Sequence, residues 1–192
     1  NAIDSILEEI DNSLSLYLPK STIYRVNQKD TIVETDFYFH QVFNKSKEIY
    51  EATQGAFDPT VLPLVQGWGF GKDKTPSIDS SMVDSLLKLV NFKGVTMGWD
   101  HKSRMAHLLK KNVDSNQVKL KYLIKKIDAN IQLDFNAIAQ GFTVDVISDY
   151  LHNAGVENYM IELGGEVIAR GSKPNNTPWK IGVDKPLENV ES

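Results

Sequence analysis

The residues best suited to chemistry lie in Leu133-Asp134-Phe135-Asn136-Ala137-Ile138-Ala139-Gln140-Gly141. An apolar run (Ile131, Leu133) stops at a carboxylate, crosses a short turn of small residues and enters an amphipathic helix. Val144, Ile147, Tyr150 and Leu151 recur in that helix at helical spacing, and Asn153-Ala154-Gly155 marks its end. A strand feeding a helix leaves backbone N–H groups unpaired at the helix start, where the positive end of the helix dipole also suits a phosphate. Asp134, at the strand end, can bind a hydrogen-bond donor or stand near a metal. Tight packing or a helix N-cap explains the same junction without a ligand.

A second segment, Glu51-Ala52-Thr53-Gln54-Gly55-Ala56-Phe57-Asp58-Pro59-Thr60-Val61, closes a helix at Gly55 and turns through Asp58-Pro59. Gly55 suits the left-handed position after a helix. Pro59 restricts Asp58 to extended conformations, which holds its carboxylate in place. Downstream, Gln66-Gly67-Trp68-Gly69-Phe70-Gly71 interleaves glycines with two aromatic rings. The plain alternative is a cap, a turn and a flexible loop.

Helices and strands must carry these segments. Ile3, Ile6, Leu7, Ile10 and Leu14 make an opening amphipathic helix, with Asp4 and Glu8 near its positive end. The polar stretch Asn27-Gln28-Lys29-Asp30 leads into a second helix from about Thr35 to Thr53, burying Phe39, Val42, Phe43, Ile49 and Tyr50. A third, from about Asp79 to Asn91, packs Met82, Val83, Leu86, Leu87 and Val90. Gly94 to Gly98, Arg104 to Leu109, Val118 to Ile127 and Asn130 to Leu133 read as a strand meander, with a turn at Asp114-Ser115-Asn116. After a helix from Ala139 to Asn153 come strands at Asn158–Leu163, Glu166–Arg170 and Trp179–Val183, with Gly164-Gly165 as a hairpin turn or bulge. Ser172 to Pro178 reads as the most flexible loop. The class is α+β, a mostly antiparallel sheet with helices segregated to one side.

At 192 residues the chain suits one domain, or one core with an appendage, and 41% apolar content supports a sizeable core. The net charge of −4 is mild. The cluster Lys119, Lys121, Lys125 and Lys126 alternates with apolar residues and reads as a solvated strand face, so nucleic acid is not expected as a partner. Absence of cysteine excludes disulfides and thiolate metal sites within these residues. No apolar run approaches the ~20 residues of a membrane helix. The four histidines (His40, His101, His107, His152) show no metal-pair spacing and read as bystanders.

The ordered motifs resemble the ApbE family, the bacterial FAD:protein FMN transferases. Leu14-Ser15-Leu16-Tyr17-Leu18-Pro19-Lys20-Ser21 with Arg25-Val26-Asn27 resembles the family's N-terminal S-x-Y-x-P-x-S…N segment. Gly55 to Thr60 is similar to G-x-F-D-P-T, Asp134 to Gly141 to D-x-x-x-[IV]-x-[KEQ]-G, and Leu163-Gly164-Gly165-Glu166 to L-G-G-[DEN]. Trp179-Lys180-Ile181-Gly182-Val183, with Pro186, resembles a W-x-[IV]-G-[IV] strand.

That resemblance implies a T-fold-like architecture over residues 1–192, as a partial flavin transferase domain. It also implies Mg²⁺-dependent transfer of FMN from FAD to a Ser or Thr hydroxyl of a target protein, with release of AMP. Cofactor contacts would come from Tyr17, Ala56, Phe57, Asp58, Asp134 and Gln140, and the Ala137 carbonyl would be a magnesium ligand. Tyr17 would stack on a ring of FAD or join the core. Trp68 and Phe70 are expected to pin their loop to the core rather than close over flavin. The family's C-terminal I-D-P-x-T-G stretch, its magnesium-binding Asp and Thr, and its N-terminal Met-Gly-Thr strand are not in this sequence. The chain therefore reads as an internal fragment lacking the C-terminal third, with no catalytic residue identifiable and poor activity alone. A lipid anchor on the periplasmic side of the inner membrane is likewise implied. Alternatives are a non-catalytic FAD-binding module, an FAD pyrophosphatase yielding FMN and AMP, and a lipoprotein scaffold for protein contacts.

Overall fold

The computed structural model describes residues 1–28, 30–70, 79–99 and 122–183. The expected Arg104–Leu109 strand, the 114–116 turn, residues 118–121, His101, His107, Gly71 and Pro186 lie outside them. The chain divides into two compact units, Asn1–Ala139 and Gln140–Ser192.

In the first unit, α1 (Ala2–Leu14) is capped by Asn1 in a reciprocal box with Asp4 and buries Ile10 and Leu14. A short α2 (Thr22–Val26) follows, capped by Ser21. Next comes β1 (Ile32–Thr35), where the sequence pointed to a lead-in to the helix. Its alternating burial, with Val33 and Thr35 inward, is what β-branched residues on a half-buried strand give. The long α3 (Phe37–Ala52) starts at Asp36, whose carboxylate accepts from Phe39 N–H at 2.9 Å, Ser13 Oγ at 2.7 Å and Thr22 Oγ1 at 2.5 Å. One carboxylate thus ties α1, α2 and α3 together. Asp36→Ala is expected to cost about 2–3 kcal/mol, read as a lower urea midpoint with an unchanged m value.

Phe39, Val42 and Phe43 are buried as their spacing predicts. Phe39 meets Phe135 edge-on at 5.2 Å, and Phe43 packs on Phe92. Helix α4 (Leu62–Gly67) forms in a stretch to which the sequence reading assigns no element, and it ends inside the Gln66–Gly71 run. Pro63 near its start needs no intrahelical N–H partner, which is why proline is tolerated there. Helix α5 (Ser80–Leu87) ends earlier than Asn91 and leaves Met82 and Leu87 about half exposed, so they do not pack as predicted.

Strands β2 (Val95–Trp99) and β3 (Tyr122–Lys126) join β1 in an antiparallel sheet of order β1-β3-β2. Ile32 pairs with Lys125 and Val95 with Lys126. In β3 Tyr122, Ile124 and Lys126 share the buried face. Lys126 is therefore not on a solvated face: it is 1% exposed, while Lys125 points outward. Residues 130–133 are not a strand, because side chains rather than a neighbouring strand satisfy their backbone.

Helix α6 (Asn136–Asn153) begins three residues before the expected start and runs on into the second unit. That unit continues with the hairpin β4 (Tyr159–Leu163) and β5 (Glu166–Arg170). Gly164 and Gly165 have φ of 59° and 96°, the two left-handed positions of a tight hairpin turn, so they form a hairpin and not a bulge. The Tyr159 hydroxyl reaches Ser148 of α6, donating to its carbonyl at 2.9 Å. Val144, Ile147 and Tyr159 are buried with it, whereas Tyr150 is exposed. Residues 179–183 are not a strand: Trp179 instead donates Nε1–H to the Arg170 carbonyl. The expected flexible loop is a turn closed by Lys173 N–H on the Thr177 carbonyl at 2.8 Å. Among the described residues no helix is long and apolar enough to cross a membrane.

Candidate functional site

Asp134 owes its position to attachments at Ile131, at Leu133 and at its own N–H. Asn27 holds Leu133 from both sides, its Oδ1 accepting the Leu133 N–H at 2.7 Å and its Nδ2 donating to the Leu133 carbonyl at 2.8 Å. The amide side chain thereby replaces a strand partner. Lys126 Nζ donates to the Ile131 carbonyl at 3.0 Å. Asp134 N–H then donates to the Pro59 carbonyl at 2.7 Å. That last bond joins the two segments singled out in the sequence, separated by some seventy residues of chain.

The Asp134 carboxyl is half buried. Its Oδ1 accepts the Asn136 N–H at 2.8 Å, an Asx turn made from one residue before the N-cap place, which Phe135 holds. Among the described residues no donor reaches Oδ2. Burial pushes the carboxyl above its ordinary value, and the Asn136 N–H pulls the other way. A carboxylate held against its preference, with one oxygen to spare, is suited to a ligand O–H or N–H. Beside it Asn136 and Ala137 are exposed, and the Ala137 N–H has no protein acceptor among the described residues. These groups can meet an anion at the start of an 18-residue helix.

The Phe57-Asp58-Pro59 corner is held more firmly than its sequence suggests. Gly55, with φ of 87°, takes the predicted left-handed position and its N–H donates to the Tyr50 carbonyl at 2.9 Å. Asp58 Oδ1 accepts from Thr60 N–H at 2.8 Å and from Thr60 Oγ1 at 2.5 Å, and Oδ2 accepts from Phe92 N–H at 3.3 Å. Thr60, fully buried, accepts in turn from Asn91 N–H at 2.8 Å. Both Asp58 oxygens are thus engaged in holding the loop. Ala56 is exposed and Phe57 half buried, but their N–H groups are spent on the Thr53 carbonyl and Oγ1. Among the described residues no donor takes their carbonyls, which suits them to a ligand.

The other predicted residues take these positions. Tyr17 is 60% exposed, so it is not a core residue; no hydrogen bond or ring contact joins it to Asp134 among the described residues. Trp68 and Phe70 are 49% and 80% exposed, so neither pins its loop to the core. Gln140 belongs to the second unit, where its side chain lies over Gly164, close enough that a Cβ there would collide with it. The Ala137 carbonyl is the acceptor for the N–H four residues on in the helix, with a second lone pair left. Among the described residues no group of three or more His, Asp or Glu could hold a metal ion. These residues do not by themselves make a magnesium site.

A separate groove of about 400 Å³ runs between α3 and the sheet, lined by His40, Tyr50, Phe92, Trp99 and Tyr122 among others. His40 stacks on Tyr122 at 3.8 Å between ring centres, and Asn44 Nδ2 lies 3.0 Å from its Nε2. Burial lowers the His40 pKa from 6.5. The unfolded chain then binds the proton more readily, so this residue's contribution is present above about pH 6.5 and is lost as pH falls through the folded value. His40→Gln is expected to flatten the acid side of the stability profile below pH 6.5, measured by urea midpoints.

Two residues of the corner carry signals that sequence reasoning passed over. Asn27 stood in a motif without a role. Lys126 shares strand parity with Tyr122 and Ile124, so burial of those two implied its own.

A family model described as the ApbE family matches residues 1–192. The FAD:protein FMN transferase of Vibrio cholerae is 32% identical over 187 residues, covering 96% of this chain and 50% of the relative. That of Haemophilus influenzae is 30% identical over 192 residues, covering 98% and 51%. A structure of a variant of flavin transferase ApbE from Vibrio cholerae superposes with a TM-score of 0.77 at 28% identity, over 97% of this chain and 57% of that one. The chain therefore spans about half the length of the curated relatives it matches, and it has the flavin transferase fold.

Proposed function

The chain belongs to the ApbE family, and on that footing we propose that the whole protein transfers FMN from FAD to a protein hydroxyl. The observation that carries this reading is the Asp134–Pro59 hydrogen bond, which makes one corner of the family's two motif segments. Both named relatives are FAD:protein FMN transferases. In the proposed reaction a Ser or Thr oxygen of the target attacks the phosphorus on the FMN side. The bridging P–O bond breaks, AMP leaves with that oxygen, and the hydroxyl proton passes to a base or to water.

The residues here bind and orient. Asp134 Oδ2 accepts a hydrogen bond from the cofactor, the exposed first turn of α6 faces its diphosphate, and Ala56 and Phe57 offer carbonyls. Tyr17 and Gln140 remain candidate cofactor contacts. Asp58 acts chiefly by holding the loop. Magnesium dependence is part of the proposal: the ion would neutralise diphosphate charge. Ala137 offers it one hard oxygen, so further ligands must come from elsewhere in the protein. A lipid-anchored, periplasmic location is proposed on family resemblance alone.

The intact protein with FAD, Mg²⁺ and a flavin-acceptor peptide is expected to release AMP and give a fluorescent Ser- or Thr-linked adduct, both lost with EDTA. AMP without adduct would favour FAD hydrolysis. FAD binding without AMP would favour a storage module. Absence of all three would refute the flavin reading.

A further inference from the structure

The Lys126 ammonium is enclosed by four backbone carbonyls: Val26 at 2.7 Å, Ile131 at 3.0 Å, and Gln28 and Ala129 at 3.2 Å each. The residue is 1% exposed, and no carboxylate forms an ion pair with it among the described residues. A buried charge is costly; here the carbonyls enclose it directly, and the Asp30 and Asp128 carboxylates favour it without forming an ion pair among the described residues. An apolar side chain at this position would leave those four carbonyls without their donor.

What the four carbonyls have in common is where they lie. Val26 and Gln28 flank Asn27, the residue that clamps Leu133 by two hydrogen bonds. Ala129 and Ile131 lie on the segment that runs into Leu133 and Asp134. The ammonium therefore holds the two sides of the Asn27–Leu133 clamp against each other. Its strand, β3, is itself fixed at this point by Lys126 N–H on the Thr31 carbonyl at 2.8 Å.

We propose that Lys126 is a positioning residue for the cofactor site, its ammonium acting as a built-in monovalent cation in a carbonyl cage that aims Asp134. It touches no ligand; it sets the register of the chain that presents the carboxylate. A cage of carbonyl oxygens at these separations is also what a desolvated potassium ion takes from backbone. Removing the side chain beyond Cβ should thus leave a site that a small cation can refill. The role in cofactor binding rests on the flavin reading above, whereas the hold on Asp134 does not.

The test is Lys126→Ala in the intact protein, with two readouts. The first is hydrogen exchange at the Leu133 and Asp134 amides, which the Asn27 side chain and the Pro59 carbonyl protect. The second is FAD affinity. Exchange at both amides is expected to rise by more than about tenfold, with amides in the middle of α3 unchanged, and FAD affinity to fall by about tenfold or more. Propylammonium replaces the missing stem and charge and should restore both, potassium should restore them in part, and neutral 1-propanol should not. If the variant does not fold, Lys126→Met, which keeps the apolar stem, is read in the same two ways. Unchanged exchange at Leu133 and Asp134 would overturn the proposal. Loosened amides with unchanged FAD affinity would overturn the link to the cofactor, and rescue by propanol equal to that by propylammonium would overturn the role of the charge. If the wild type itself binds no FAD, the flavin reading falls and the exchange measurement alone decides whether Lys126 aims Asp134.

Discussion

Asp134→Asn is expected to weaken FAD binding by about tenfold or more while raising the thermal midpoint of the ligand-free protein at pH 7. The two effects have one cause. Burial holds the carboxyl above its ordinary value, which means the folded state disfavours the charged form. The residue's contribution to stability is fully present below its unfolded value of 3.8 and is lost as pH rises through the folded value. At neutral pH the wild type therefore bears a penalty that the amide removes, since Asn can still accept the Asn136 N–H. The rise should shrink toward zero as pH approaches 3.8, where the wild-type carboxyl is neutral too. For FAD, replacing the charged acceptor removes a hydrogen bond worth roughly 1.5–3 kcal/mol, and 1.4 kcal/mol is already tenfold. Calorimetric midpoints across pH and flavin fluorescence titration measure the two effects. A variant that loses stability and keeps its affinity would make Asp134 a turn residue and nothing more.

Asp58→Ala should act in the opposite sense, with a large loss of stability. Three donors converge on this carboxylate, two from Thr60 and one from Phe92. Thr60 is fully buried, so its hydroxyl is left with no acceptor and no access to water. Loss of a charged acceptor with a buried donor stranded costs about 3 kcal/mol. The urea midpoint should fall accordingly with the m value unchanged. Asp58→Asn, which keeps an acceptor oxygen, should recover part of the loss. A fully stable Asp58→Ala that fails to bind FAD would mean that the carboxylate serves the cofactor and not the loop.

How far the chain could be read follows from how local each signal is. The faces of α1 and α3, the left-handed Gly55 and the Gly164-Gly165 hairpin were legible because each is set by spacing or by one residue's backbone freedom. Strand β1 was missed because four residues beside a strong helix cap carry too little pattern to stand out. The segment 130–133 looked like a strand because it is extended and apolar, yet its partner is the side chain of Asn27, over a hundred residues away in sequence. Lys126 was misread for a related reason. A lysine is charged, and only the carbonyls that tertiary structure brings to it make burial tolerable. At the site, residue types and order located both motif segments. They could not show that Asp58 is occupied by Thr60 and Phe92 while no donor among the described residues reaches Asp134 Oδ2. That division depends on which donors the fold delivers.

The chain of causes runs from the sheet to the ligand. Parity along β3 buries Lys126, the ammonium gathers two loops, Asn27 clamps Leu133, and Asp134 meets the Pro59 carbonyl at the mouth of α6. The most direct test is a crystal structure of the intact protein with FAD and Mg²⁺. It should show the dinucleotide against the Asp134–Ala137 turn, with a cofactor O–H or N–H on Asp134 Oδ2 and the Ala56–Phe57 carbonyls alongside. FAD bound elsewhere, with Asp134 Oδ2 facing only solvent, would contradict the account.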